Sequence, residues 1–513
     1  MDTAINMNPP TISRARRWAA LIVVLFGQFI VSIDLTVLNI ALPDLTADLK
    51  PTSDQQLWII DIYSLVLAGL MVTASSLSDR WGRKRMMLAG FAVFGVGSGL
   101  IMAAFTTAAV IAIRAFLGLG AALIMPTTIS MVRSIFLDAR ERAFALAAWS
   151  AVAGLGMAAG PLIGGLLLEL FSWHAAFFVN VPLMAVTLVA GIFVLPEIRV
   201  KNPGSWDVLA AALSLAGMTL LMWAIKHFAA EMAFDAQGIM AAVAGLVLLA
   251  AFFVRCRRSE TPLLDFSLFT RKPFTAGILA ALGSMFAMAS LLFLLAQWMQ
   301  LVDGNSPLEA GIKLAPMGVA SIVAGFAAPA LAMRAGARNV TVGGLVLAAL
   351  AMVMLIAFNG NLSYGPILVS SCLVGIGTGA LAVGSSIIMC ETPVEKASSA
   401  ASFEEISYDL GNVLGVAILG SVASIVYRLG LDPQALAASG LDQASIDEAM
   451  QSFGAAVRIA EQSGAAELLR EGAASFSESI VITSFAGGVV LLLVSLAVWK
   501  LIPRDLDITE GER

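Results

Sequence analysis

The sequence predicts an all-α integral membrane protein with about fourteen spanning helices, and three observations predict it. Of the 513 residues, 59% are hydrophobic and only 13% are charged. Soluble domains carry about a quarter charged residues, and one or two membrane anchors cannot shift the average that far. The apolar runs are unbroken over about twenty residues, the length a helix needs to cross a bilayer. Barrel strands would instead alternate apolar and polar over about ten residues, and only helices and closed barrels satisfy their backbone groups in lipid. The third observation is a strong asymmetry of Lys and Arg between successive loops.

The runs lie near 18–42, 55–77, 86–106, 108–131, 141–168, 174–195, 206–226, 237–255, 273–302, 308–332, 339–358, 363–389, 400–427 and 479–501. With the N-terminus in the cytoplasm and the runs alternating, 23 of the 30 Lys and Arg fall on the cytoplasmic side. Six (Lys50, Lys226, Lys313, Arg428, Arg458 and Arg470) fall outside, and Arg114 sits near a membrane boundary. The positive-inside rule then places both termini in the cytoplasm of a multi-pass bacterial inner membrane protein. The order suggests a six-helix bundle in 1–200, two linker helices in 201–260, and a second six-helix bundle in 261–513. Repeated halves of this kind hold substrate at their interface. The long extracytoplasmic loop 428–478 carries helical patches such as Ile446–Ala460, and reads either as a small amphipathic lid or hairpin or as a poorly ordered connector.

Several classes are excluded. A net charge of −5 leaves no nucleic-acid footprint. Cys256, Cys372 and Cys390 have neither metal nor disulfide spacing, and two histidines, His174 and His227, do not make a zinc site. The first apolar run behind Arg14, Arg16 and Arg17 is too long for a cleavable signal. A Walker loop, an HExxH helix and a nucleophile–base pair are all lacking. A metal, an organic cofactor and enzymatic chemistry are therefore not expected, and a monomer is.

Polar residues inside apolar runs are the candidate site, because a carboxylate in the membrane costs several kcal/mol unless it faces a cavity or partner. Asp34 lies well inside the first run. Asp61, between Trp58 and Tyr63 in the second, faces an outer cavity, while the two aromatics either line that cavity with it or sit in the interfacial belt. Arg114 either pairs with a membrane carboxylate or snorkels to the outer interface. The thirteenth run carries Glu404, Glu405 and Asp409 within six residues. Glu405 and Asp409 share a helix face, where each opposes ionisation of the other. Glu404 points elsewhere and is also placed to partner the helix N-terminus. The fifth run holds Gly156, Gly160, Pro161, Gly164 and Gly165, small residues that suit close helix packing around a proline break.

Five strings carry a resemblance. Ser75-Ser-Leu-Ser-Asp79-Arg80-Trp-Gly82-Arg83-Lys84-Arg85 resembles the cytoplasmic signature of the major facilitator superfamily, with Ser75 in place of the usual glycine. Gly160-Pro161-x-x-Gly164-Gly165 resembles that superfamily's antiporter signature. Asp34-Leu-Thr36-Val-Leu-Asn39-Ile-Ala41-Leu-Pro43 resembles the first-helix pattern of its fourteen-helix drug:proton antiporter branch. Arg114 with Gly118 and Gly120 resembles the fourth-helix motif of proton-coupled members, and the Glu404–Asp409 stretch the matching helix of quaternary-ammonium efflux pumps. The resemblance covers nearly the whole chain and is nearest to the methyl viologen and quaternary-ammonium exporters. It departs at Trp173-His174, where the family has Trp-Arg-Trp before Asn180 and Pro182, and near Ala320 and Ser321, where some members carry an acid.

The resemblance implies the major facilitator fold and proton-coupled export of lipophilic cations, such as quaternary ammonium antiseptics, ethidium and methyl viologen. The coupling ion would be the proton. Asp34, Asp409 and Arg114 would couple protons. Asp61, Glu405, Glu404, Trp58 and Tyr63 would bind substrate. Asp79, Arg80, Gly82, Arg83 and the fifth-helix glycines would govern conformation. A metabolite exporter or proton symporter of the same fold is the alternative. The driving force suffices, because a proton moving down about 100 mV releases about 2.3 kcal/mol and each pH unit adds about 1.4 kcal/mol.

Overall fold

The computed structural model describes residues 12–504 and 506, apart from 52, 200–206, 232–234, 260–261, 394–395, 439–440 and 451. Every regular element among the described residues is helical. Fourteen long helices match the fourteen predicted runs in order. They are α1 (Arg14–Leu49), α2 (Ser53–Trp81), α3 (Arg83–Leu100), α4 (Thr107–Ile135), α5 (Ala139–Leu170) and α6 (Trp173–Val194), then α7 (Val208–Glu231) and α8 (Ala236–Arg258). The remainder are α9 (Lys272–Leu301), α10 (Pro307–Ala335), α11 (Ala337–Phe358), α12 (Tyr364–Cys390), α13 (Ala397–Leu429) and α14 (Ala466–Leu501). Thirteen are long and apolar enough to cross a membrane, and the other, α5, has 32 residues.

Local chemistry sets the helix starts. Thr106, in the predicted turn between the third and fourth runs, accepts the Ala109 amide at 3.2 Å and caps α4. Asp138 accepts the Arg140 and Glu141 amides at 3.0 and 2.9 Å and caps α5. Ser306 and Glu309 form a reciprocal capping box on α10, which satisfies amides that have no intrahelical partner. Between α2 and α3 the chain turns at Gly82, whose φ of 108° suits only glycine.

Two large hydrophobic clusters fill the interior. One is built mainly from α1–α6, the other from α9–α14 and the loop before α14. The halves meet where α5 lies along α10, with Phe144 and Phe326 ring centroids 5.7 Å apart. α7 bridges them on the opposite flank. Its Met218 and Met222 bury against Leu65 and Ala68 of α2, and Ile406, Leu410 and Val413 of α13 pack onto the same patch.

Three differences from the sequence-based expectation have physical causes. α7 continues to Glu231, past the predicted end at 226, because polar Lys226 and His227 sit on the helix with His227 stacked on Trp223 at 4.7 Å. Lys226 is therefore a helix residue rather than an outer-loop cation. The span 174–195 is interrupted at Val179 between Trp173–Phe178 and Asn180–Val194, just before Pro182, which has no amide to donate. The predicted loop 428–478 shortens to 430–465, because α13 runs to Leu429 and α14 begins at Ala466, and its described residues form a helical lid. Pro433–Ala438, Gln443–Ala449 and Phe453–Ser463 pack one on the next, and the last of them packs on the start of α14, where Tyr427, Phe453 and Phe476 form an aromatic cluster. The predicted patch Ile446–Ala460 is split in two, and Ser452 caps its second half by accepting the Ala455 amide at 3.2 Å.

Candidate functional site

Asp34 is fully buried in α1 and tied to two other helices. Its Oδ2 pairs with Arg114 Nη1 of α4 at 3.0 Å, and its Oδ1 accepts from Asn180 Nδ2 of α6 at 3.1 Å. Arg114 is 2% exposed, donates through Nε to the Ile59 carbonyl of α2 at 3.3 Å, and lies 4.6 Å from the Tyr63 ring centroid. Of the two possibilities for Arg114, the geometry shows pairing, not snorkelling. Gly156 and Gly160 bring α5 against α1 on either side of this residue: a Cβ at Gly156 would lie 2.9 Å from the Phe29 carbonyl, and one at Gly160 would lie 3.0 Å from that of Ile33.

A second group of carboxylates faces a cavity between the halves. Glu405, Tyr408, Asp409 and Asn412 of α13 line it, opposite Gln28, Ser32 and Leu35 of α1 and Trp149 of α5. Met125, Met285 and Met288 complete an adaptable wall. None of the described lining residues is basic. The free volume is about 70 Å³, below the several hundred Å³ of drug-sized sites, so the halves must part to admit a large cargo. Trp149 and Tyr408 stack at 6.1 Å across the interface. Glu405 is fully buried with both carboxylate oxygens unpartnered, and Asp409 Oδ2 is likewise unpartnered.

Packing aims these acids. Gly411 and Gly415 let α13 approach α9 so closely that a Cβ at either would lie 2.5 Å from the Leu282 or the Phe286 carbonyl. Directly beyond Asn412 the helix widens into one π-turn, Gly415–Leu419, a distortion frequent at functional sites. Glu404 faces away from the cavity and accepts from Tyr408 Oη at 2.6 Å and from the Ser385 hydroxyl of α12. Lys226 of α7 acts electrostatically on Asp409. Tyr63 is fully buried with its ring 4.6 Å from the Arg114 guanidinium.

The end of α2 and the start of α3 form a polar seal at one end of the interface. Arg83 Nη2 pairs with Asp79 Oδ1 at 3.0 Å and donates to Ser398 Oγ of α13 at 3.2 Å. Ser398 Oγ donates to Asp79 Oδ1 at 2.5 Å, and Ser75 Oγ donates to the Ser398 carbonyl at 2.7 Å. Arg133 donates to the Thr392 carbonyl at 3.2 Å, and Arg142 Nη2 lies 3.6 Å from Cys390 Sγ. Because hydrogen bonds to charged groups contribute about 1.5–3 kcal/mol, Ser398→Ala is expected to shift the population of opened seals roughly tenfold. With Cys256 and Cys372 replaced by alanine, the labelling rate of Cys390 by a thiol reagent checks this; an unchanged rate would remove Ser398 from the seal.

The remaining expected site residues fall as follows. Trp58 is 43% exposed and does not line the cavity. Tyr63 is buried beside Arg114 rather than open to a ligand. The side chains of Asp61, Asn39 and Pro161 lie outside the described residues. Gly165 meets Leu308 of α10. His174 stacks on Trp173 at 3.7 Å while the Trp173 indole donates to Asp48 at 2.9 Å. Sequence reasoning did not single out Trp149, Tyr408, Lys226 or Ser398. The available signals were a lone indole among small residues (Ala147-Ala-Trp149-Ser-Ala151), and the spacing of Gly411 and Gly415, which sets how α13 turns.

A family model described as Major Facilitator Superfamily matches residues 24–416. The multidrug efflux pump LfrA of Mycolicibacterium smegmatis is 38% identical over 503 residues, 97% of this chain and 99% of that protein. The methyl viologen resistance protein SmvA of Salmonella typhimurium is 33% identical over 491 residues, 94% of this chain and 98% of that one. The crystal structure of the human organic anion transporter MFSD10 superposes with a TM-score of 0.60 at 15% identity, covering 94% of this chain and 99% of that chain, a likeness of fold alone. By its family match, its near full-length relatives and its bundle of membrane helices, the chain belongs to the Major Facilitator Superfamily.

Proposed function

We propose that the protein is a proton-coupled antiporter exporting lipophilic cations, including quaternary ammonium compounds, ethidium and methyl viologen, from the bacterial cytoplasm. The observation that carries this is the cavity wall whose charged residues, Glu405 and Asp409, are both acidic and which holds no described basic residue. Such a wall attracts a bulky cation when ionised and releases it when protonated, so proton and cargo compete for the same groups. Aromatic faces at Trp149 and Tyr408 add cation–π attraction. Asp34 and Arg114 hold the second proton-sensitive group. The names of two relatives, a multidrug efflux pump and a methyl viologen resistance protein, agree with this cargo.

With the positive-inside orientation, both termini and the Asp79–Arg83 seal face the cytoplasm of the inner membrane, and the helical lid faces outward. The protein acts as a monomer with the proton as its only coupling ion.

The test uses energised inverted vesicles. Ethidium is expected to accumulate only while a proton gradient is present, and its addition is expected to release protons from the acid interior. Proton movement in the opposite direction would indicate symport, and failure to move any cation would leave the metabolite exporter of the same fold.

A further inference from the structure

The cavity is unevenly supplied with hydrogen-bonding groups. Three of its donors are already committed within the protein, while the Asn412 amide on the same wall is not. The Trp149 indole N–H donates to Thr128 Oγ1 at 3.0 Å, the Tyr408 hydroxyl donates to Glu404 at 2.6 Å, and Gln28 Nε2 reaches Ser32 Oγ at 3.5 Å. Of the remaining hydroxyls, that of Ser150 has no partner. The acceptors are uncommitted. Both oxygens of fully buried Glu405 and one of Asp409 lack partners. These are carboxylate oxygens, which accept in any orientation, so the imbalance does not depend on how an amide is placed.

We propose that this cavity selects cations bearing N–H groups over fully alkylated cations of the same size, and that Glu405 is the selecting residue. The inference rests on the cation-export reading and ranks its substrates. A quaternary ammonium offers charge but no donor, so it leaves the Glu405 oxygens desolvated and unmatched. A primary or secondary ammonium, an amidinium or a guanidinium offers two or more N–H groups at the same charge. Sites built to hydrogen-bond a ligand reject analogues that cannot do so, because their buried polar groups stay unpaired. Coulomb attraction and the methionine wall treat both classes nearly alike, which leaves hydrogen bonding to discriminate.

The probe is a naphthylmethyl series: the primary ammonium, the dimethylammonium with one N–H, the trimethylammonium with none, and the uncharged naphthylmethanol. The three cations are all charged at neutral pH. Binding of each to the purified full-length protein is measured by calorimetry. For wild type, Kd is expected to rise stepwise with methylation and to be at least about tenfold weaker for the trimethyl compound, which corresponds to about 1.4 kcal/mol. Glu405→Gln is expected to collapse that ratio, and Glu405→Asp to retain it. The wild-type series decides even where a variant fails to fold. Equal or tighter binding of the trimethyl compound, with ethidium still pumped, would overturn the selectivity and leave cation export intact. Alcohol binding as tight as that of the amine, or no binding by any cation, would overturn both.

Discussion

Asp34→Asn is expected to abolish gradient-driven ethidium transport, lowering its initial rate at least about a hundredfold. Asparagine keeps the shape of Asp34 but removes the charge that faces Arg114 at 3.0 Å. Arg114 is 2% exposed and has a carbonyl and two ring faces, but no second described ion-pair partner, to offset the loss. Breaking a buried pair from one side costs about 3–5 kcal/mol, because the remaining charge is stranded. Two consequences separate here. A folding defect would show as loss of monodisperse protein in size exclusion, and Arg114→Gln placed on Asp34→Asn is expected to relieve it by removing the stranded charge. Transport is expected to stay absent in that double variant. Recovery of driven transport would make the pair a structural tie and no more.

Asp409→Asn is expected to separate binding from coupling. The residue is half-buried on the cavity wall with Lys226 acting on it from α7, and fully buried Glu405 remains to attract a cation. Ethidium affinity at neutral pH is therefore expected to change only a few-fold, within the 0–1 kcal/mol range of screened ion pairs. Driven transport is expected to fall at least about a hundredfold, because a coupling carboxylate that cannot release its proton contributes none of the roughly 2.3 kcal/mol available per 100 mV. Ethidium–ethidium exchange, which needs no net proton movement, is expected to persist. In wild type the ethidium Kd should weaken as pH falls, since proton and cation compete, and this slope should flatten in Asp409→Asn. Loss of binding and exchange together would move Asp409 from coupling to cargo recognition.

Much of the fold is legible in the sequence because lipid leaves the backbone few options. An apolar run of spanning length has to be a helix, and all fourteen predicted runs are helices. Helix ends were less legible. Lys226 and His227 look like a loop by polarity, yet stacking on Trp223 keeps them helical. Asp34 could be singled out because an acid inside an apolar run needs a reason. The i, i+4 spacing of Glu405 and Asp409 likewise places both on one face, and both line the cavity. What the sequence does not carry is partner choice across long separations. Ser385 of α12 draws Glu404 away from the cavity, and Ser398, 319 residues from Asp79, completes the seal. Both are serines among many, and only packing distinguishes them. Trp149 was hidden for the same reason.

The placement of α7 has a consequence for traffic from the lipid. A bundle of two halves has two lateral clefts, and amphiphiles dissolved in a leaflet approach through such clefts rather than along the membrane normal. α7 roofs one of them, with Met218 and Met222 laid across α2 and α13. The other runs along α5 and α10 and lies next to Gly154 and Ser321 of the cavity wall. The two flanks of this molecule are therefore closed by different means: α7 is laid over one, and on the other α5 and α10 pack directly on each other beside the cavity.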